Sequence, residues 1–263
     1  MSFAKWIGGA LGWSFGGPIG AIIGLALGSF VDNLTDSGSP LIGDRQSDKR
    51  TDGPYRRKPN YGQRGSRPQT LSGDFEVSLL ILASIVIKAD GKQDQRELDF
   101  VRNQFVNMYG KERANRAFEL FKRINKQNIS TRQVCLQIRQ MMDHPSRLQL
   151  LHFLFGIAKA DGMVTEEELR QIYTITGYLG ISNRDYQSIK AMFYNSSDNA
   201  YKILEIDKSV SDAEVKKAYR AMAKKYHPDR VGHLGEEHQK GAEAKFRQVQ
   251  EAYEHIQKER GFK

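Results

Sequence analysis

The 26 residues from Trp6 to Val31 carry no charged side chain. At ~1.5 Å per residue, a helix of that length exceeds the ~30 Å hydrocarbon core of a bilayer, so it can cross with tilt. Lys5 and Asp32 bracket the run, and Trp6, Trp13 and Phe30 stand where interfacial aromatics belong. The run is long for a cleaved signal, opens with glycines and has no small-x-small cleavage site before Asp32, which favours an anchor over a secretory leader. A peripheral or hairpin-like insertion around Gly17-Pro18 is the other geometry open to so glycine-rich a segment.

Within the run, Gly8, Gly12, Gly16, Gly20, Gly24 and Gly28 recur every four residues. On a helix they form one stripe without side chains, where a second helix can approach closely. The expected consequence is a homodimer through the N-terminal helix, with Pro18 kinking it. Downstream lie Arg45, Lys49, Arg50, Arg56, Arg57, Lys58, Arg64 and Arg67, against only Lys5 and the amino terminus upstream. The positive-inside rule therefore predicts a single-pass protein of the inner membrane with its C-terminal bulk in the cytoplasm.

The expected architecture is all-α in four parts. Residues 1–32 form the glycine-rich membrane helix. Residues 33–72, rich in Ser, Gly, Pro, Asp and Arg without apolar periodicity, form a disordered linker with an r.m.s. reach of roughly 35 Å. Residues 73–195 form a helical bundle, and residues 198–263 a helical hairpin. The net charge of +9 is spread along the chain, which argues against nucleic acid as a partner. The single cysteine, Cys135, excludes an internal disulfide or a cysteine zinc module and reads as a small buried hydrophobe. Neither a phosphate-binding G-x-x-x-x-G-K-[ST] loop, nor His-Glu-x-x-His, nor a nucleophile elbow is present, so no enzyme is expected.

The bundle contains a repeat. Lys88-Ala89-Asp90-Gly91 with Glu97-Leu98 recurs as Lys159-Ala160-Asp161-Gly162 with Glu168-Leu169. Before each copy runs a helix that is apolar nearly all round: Phe75, Leu79, Leu82 and Val86 with Leu80, Ala83 and Ile87, then Leu148, Leu151, Phe155 and Ala158 with Leu154 and Ile157. Gly91 and Gly162 are placed to end those helices in a left-handed conformation. Asp94 and Thr165 then cap the following helices, with Glu97 and Glu168 completing capping boxes. The same D-G-x5-E spacing matches half of a calcium loop, but Val86, Lys88, Ile157 and Lys159 occupy the earlier ligand positions. No cofactor is expected; the alternative is a metal-binding sensor or enzyme holding a divalent cation at Asp90, Glu97, Asp161 and Glu168. This pattern resembles the TerB-like helical domain, and the resemblance implies an interaction module whose acidic residues are suspected of binding metal.

In the hairpin, Ser211-Asp212-Ala213-Glu214 is a capping box opening a helix that runs to about Tyr226. Val215, Ala218, Tyr219, Met222 and Ala223 form its apolar stripe, and Lys216, Lys217, Arg220, Lys224 and Lys225 cover much of the rest. His227-Pro228-Asp229 stops it, because proline cannot continue a helix. After a polar loop, a last helix carries Ala242, Phe246, Val249, Ala252, Tyr253 and Ile256 on its inner face. Asp143-His144-Pro145 holds the same three residue types in another order, without the flanking pattern, and reads as a helix boundary.

Tyr201 and Leu204, then Lys217 to Arg230, then Phe246, Val249, Ala252 and Tyr253 resemble a J domain. The resemblance implies that His227, Pro228 and Asp229 trigger ATP hydrolysis by a DnaK-type chaperone. It also implies that Lys216, Lys217, Arg220, Lys224, Lys225 and Arg230 supply docking charge, and that Tyr201, Leu204, Tyr219, Phe246 and Tyr253 are core. The order of parts is similar to that of membrane-anchored J-domain co-chaperones carrying a TerB-like domain. One departure stands out: the long spacer follows the anchor, and the junction before the J domain is only Asn195-Ser196-Ser197. The combined expectation is a co-chaperone tethered at the cytoplasmic face of the membrane.

Overall fold

The computed structural model of the protein describes residues 19–21, 72–89, 91, 94–160, 162, 164–194 and 198–262, with only the helical backbone of 72–74 and 236–238. The glycine stripe apart from Gly20, residues 33–71 of the expected linker and the Asn195-Ser196-Ser197 junction lie outside the described residues, and Ser72, expected as the end of the linker, opens the first described long helix. Among the described residues no helix is long and apolar enough to cross a membrane.

The described elements are all helical. In the first unit α1 is Ser72–Ile87, α2 Gln95–Ile124, α3 Thr131–Met141, α4 His144–Ala158, α5 Glu166–Tyr178 and α6 Asn183–Ala191. In the second unit α7 is Asn199–Ile203, α8 Asp212–Lys225 and α9 Glu236–Arg260, with a 3-10 turn Pro228–Leu234 between the last two. The sequence of α1 has no polar face, and every side chain from Phe75 to Ile87 is buried. Two of the polar exceptions are partnered across the bundle: Glu76 accepts from Arg113 at 2.8 Å and Ser84 Oγ donates to Asn125 at 2.9 Å. Helix α4 has the same character, with Leu150, Leu151, Leu154, Phe155 and Ile157 fully buried. These two helices pack against each other as the centre of the bundle, and α2, α3, α5 and α6 surround them.

Local signals set the helix ends. Asp143 caps α4, accepting from Ser146 N–H at 3.0 Å, and Pro145 occupies the first turn, where its missing N–H costs nothing. Thr165 and Glu168 form the expected reciprocal box at the start of α5. At the other copy Asp94 caps α2 by accepting from Arg96 N–H at 2.7 Å, and the Arg96 guanidinium, hydrogen-bonded to the same carboxylate, holds it down at about 2. Gly91 and Gly162 have positive φ values of 73° and 92°, as the helix-ending role requires. Gly156 serves packing instead: a Cβ there would lie 2.7 Å from Phe100 Cζ, so only glycine lets that ring rest on α4. Cys135 is a buried free thiol, pushed up to about 12 by burial.

The second unit is an antiparallel hairpin. The start of α8 meets the end of α9 through Asp212 and Arg260, 3.2 Å apart. Midway, the Tyr219 and Tyr253 rings stack at 4.2 Å, and His227 at the end of α8 meets Phe246 early in α9 at 5.6 Å. Val215, Met222, Val249, Ala252 and Ile256 fill the space between, while Tyr219, Phe246 and Tyr253 flank it half-buried. Arg260 closes the structure, donating to Tyr201 Oη, Val210 O and Lys208 O at 3.0, 2.6 and 2.6 Å.

Phe155 packs on Tyr186 at 5.5 Å and Phe193 at 5.8 Å with no exposed surface. Phe155→Ala is expected to lower the unfolding free energy by about 3–5 kcal/mol, read from urea denaturation followed by circular dichroism.

Candidate partner-docking site

The site is assembled from the end of α8 outward. Ser211 and Glu214 cap the helix reciprocally, so α8 starts at a fixed residue and its lysines and arginine take a fixed angular order. Lys217, Arg220 and Lys224, three and four residues apart, share one side of the helix, and all three are exposed. Tyr226 leaves the helical conformation at the C-cap, and Pro228 opens the 3-10 turn. His227 Nδ1 accepts from Asp229 N–H at 3.3 Å and lies 3.5 Å from the Asp229 carboxylate. The edge-on contact with Phe246 props the imidazole from below, leaving its side chain 49% and that of Asp229 84% exposed. A rigid turn thus presents an imidazole and a carboxylate to solvent beside a cationic stripe.

Of the other cations expected to dock a partner, Arg230 is exposed at the turn. Lys216 is half-buried, its ammonium 5.5 Å from the centre of the Phe262 ring. Lys225 departs most from expectation. It lies in the last turn of α8, but its ammonium contacts both Asp185 of α6 and Glu205, and only 25% of its side chain is exposed. Glu205 has a positive φ of 59°, a conformation in which its carboxylate reaches back to Lys225. The Lys225 charge is therefore spent inside the protein.

Lys225 marks a boundary between the two units that the sequence did not reveal. Lys245 of α9 is 2% exposed and donates to Gln149 of α4. Burial alone pulls its ammonium down to about 7. Next to this pair, burial and then the Lys245 charge hold His152 at about 3. Gln248 donates to Met192 O at 3.1 Å and Ser188 donates to Ile203 O at 2.8 Å. His233 lies 3.6 Å from Asp143 and 3.4 Å from Ser146 Oγ. A small cavity remains where Pro145 and Leu148 face Tyr226, His227, Arg230, Val231, Ala242 and Lys245. Nothing in the spacing of Gln149, Asp185 or Lys245 marks them; an uncompensated lysine on the inner side of α9 is the only trace.

Only half of the acidic repeat falls among the described residues. Asp90 and Asp161 lie outside the described residues. The Glu168 carboxylate is engaged by Thr165 N–H at 2.7 Å and Thr165 Oγ1 at 2.9 Å, and Glu97 is buried at the start of α2. Among the described residues no group of three or more His, Cys, Asp or Glu side chains is placed to hold an ion.

Three family models match the chain in order: the co-chaperone DjlA transmembrane domain over residues 1–51, the tellurite resistance protein TerB over 76–191 and the DnaJ domain over 199–261. The chain is 28% identical to the co-chaperone protein DjlA of Coxiella burnetii, with 97% of both chains aligned. It is 26% identical to that of Haemophilus influenzae, with 98% of both aligned. Its J region is 61% identical over 54 residues to the chaperone protein DnaJ of Erysipelothrix rhusiopathiae, covering 20% of this chain and 13% of that one. No solved structure matches the chain.

Lys245 makes stability depend on pH in a defined direction. Between about 7 and its ordinary 10.5 the unfolded chain binds a proton that the folded chain does not, so stability rises with pH across that window. Below the window both forms are protonated, and the full burial cost persists. Lys245→Met is expected to flatten the difference, measured as urea midpoints of wild type and variant from pH 7 to 10.

Proposed function

Because the chain is DjlA-like, with a DjlA-type transmembrane segment, a TerB domain and a J domain in that order, we propose that it is a co-chaperone that stimulates ATP hydrolysis by a DnaK-type chaperone from the cytoplasmic face of the inner membrane. The observation that carries this reading is the exposed His227-Pro228-Asp229 turn beside Lys217, Arg220 and Lys224.

The chain itself breaks no bond in this reaction. It acts by binding one state of the partner ATPase better than another, and the partner's equilibrium shifts by that differential affinity. The stripe supplies the encounter: three exposed cations on one helix side attract an acidic surface over about one Debye length. The turn supplies the specificity. Proline fixes its backbone and Phe246 fixes the imidazole, so His227 and Asp229 meet the partner with little rotamer entropy to lose. A salt-sensitive, short-lived complex suits a component that must bind, act and leave.

The N-terminal segment supplies the address. Its uncharged run and the downstream excess of Lys and Arg support insertion with the TerB and J domains in the cytoplasm. The glycine stripe supports pairing of two anchors, bringing two J domains to one patch of membrane.

His227→Gln is expected to abolish stimulation of single-turnover ATP hydrolysis by a DnaK-type chaperone while leaving the helical circular dichroism unchanged. Equal stimulation by wild type and variant would overturn the assignment of the turn. Replacing Lys217, Arg220 and Lys224 together by alanine is expected to raise the half-maximal concentration about tenfold or more and to flatten its dependence on salt; titrations at two ionic strengths measure both effects.

A further inference from the structure

The two domains meet across a boundary that is unusual in what it buries. Asp185 is only 6% exposed on its side chain, and the charge it faces across the boundary belongs to the J domain's own docking helix. Burial by itself would push the Asp185 carboxyl up. Hydrogen bonds from His144, Lys225 and Ser182 outweigh that effect and hold it far below the usual carboxylate range. The pair is thus a committed ion pair, shielded from water, rather than a passing surface contact. His233 meets Asp143 at 3.6 Å on the same side. The TerB domain therefore offers the J domain carboxylates, the chemistry that its cationic stripe seeks in a partner.

The boundary is also built to separate. Beside the apolar contact of Pro145 and Leu148 with Val231 and Ala242 it carries buried polar contacts: Lys245 on Gln149, Gln248 on Met192 O, Ser188 on Ile203 O. Sealing a lysine against one neutral amide costs free energy that leaving the boundary open would recover. A permanent interface would place an apolar side chain there, whereas polar boundaries are the mark of domains that come apart. The short sequence between α6 and α7 keeps the two surfaces at an effective concentration of about millimolar, so even a weak contact competes with a partner in solution.

Resting on the reading of the J domain given above, we propose that the TerB domain restrains the chaperone-facing surface from its rim, holding Lys225 and the inner side of the 3-10 turn while Lys217, Arg220, Lys224 and Asp229 stay exposed. Across the seam Asp185 draws Lys225 away from a partner, while Glu205, a residue of the J domain itself, pairs with it on its own side. Opening the seam leaves Lys225 with Glu205 alone and frees the 3-10 turn from Pro145 and Leu148. Stimulation is then set by the seam as well as by the trigger. A ligand or membrane partner that takes the TerB surface from the J domain activates it.

Two substitutions open the seam from opposite sides without touching the trigger. Asp185→Asn removes the carboxylate that holds Lys225. Gly241→Leu acts from α9: a Cβ at that position lies 2.5 Å from Gln149 Nε2, so a branched side chain wedges the seam, while leucine strengthens the helix. The test is single-turnover ATP hydrolysis by a DnaK-type chaperone titrated with the full chain, each variant first checked by circular dichroism and thermal melting. Either variant is expected to lower the half-maximal concentration by about two- to tenfold, and adding Lys225→Ala is expected to cancel the gain. Stimulation equal to or weaker than wild type in both variants overturns the proposal, and a gain that survives Lys225→Ala overturns the role of Lys225. Should Asp185→Asn fail to fold, Gly241→Leu decides alone. A wild-type chain that does not stimulate at all rejects the co-chaperone reading instead, so the two failures are distinct.

Discussion

Helix α4 is the constraint on which the functional surface depends. Leu150, Leu151, Leu154, Phe155 and Ile157 leave it no face for water, and each such side chain resists exposure by roughly 1.5–3 kcal/mol. Its axis and rotation are consequently fixed. The residues of its first turns cannot reorient one by one, so Pro145, Leu148 and Gln149 stand at set positions on the bundle surface. The J domain is built on that surface. Its 3-10 turn packs on α4, α9 packs on α2 and reaches α4 through Lys245 and Gln149, and the exposed His227-Pro228-Asp229 turn borders Pro145 and Leu148 of that helix.

Charge does several jobs along this chain, and burial tells them apart. Lys217, Arg220 and Lys224 point to water and are available to a partner. Arg260 is structural, tying α9 to Tyr201, Val210, Lys208 and Asp212 at the open ends of the hairpin. Lys225 and Lys245 bind the domains together, one through the Asp185 carboxylate and the other through a single amide. The difference matters energetically. A paired buried cation is costly to uncover, whereas a lysine on a neutral oxygen gains solvation when released. The boundary combines one contact of each kind, which is how a contact can be specific without being permanent.

The acidic repeat shows how one local pattern sets the geometry of a helix break. Each copy ends a buried helix at a glycine with positive φ and starts the next one at a capping residue. The Glu168 carboxylate satisfies N–H and hydroxyl donors at a helix start, a use that leaves few of its lone pairs for anything else.

The helices, their caps and the exposed His227-Pro228-Asp229 turn were legible in the chain because each depends on residues within about four positions of one another. Ser211 with Glu214, Thr165 with Glu168, Pro145 and Pro228 at helix boundaries, and the apolar faces of α1, α4 and α9 all read directly. The J-domain stripe was legible for the same reason, since helical periodicity alone puts Lys217, Arg220 and Lys224 on one side. What happens to Lys225 was not. Its partner Asp185 sits on a different helix of a different domain, and Gln149 is 96 residues from Lys245. No local rule links such positions; the packing of α4 and α6 against α8 and α9 does. Sequence determined which groups this protein offers to a partner, because helix geometry is local. Tertiary structure decided which of those groups are free, because whether a charge is paired or hydrated depends on surfaces that meet only after the chain has folded.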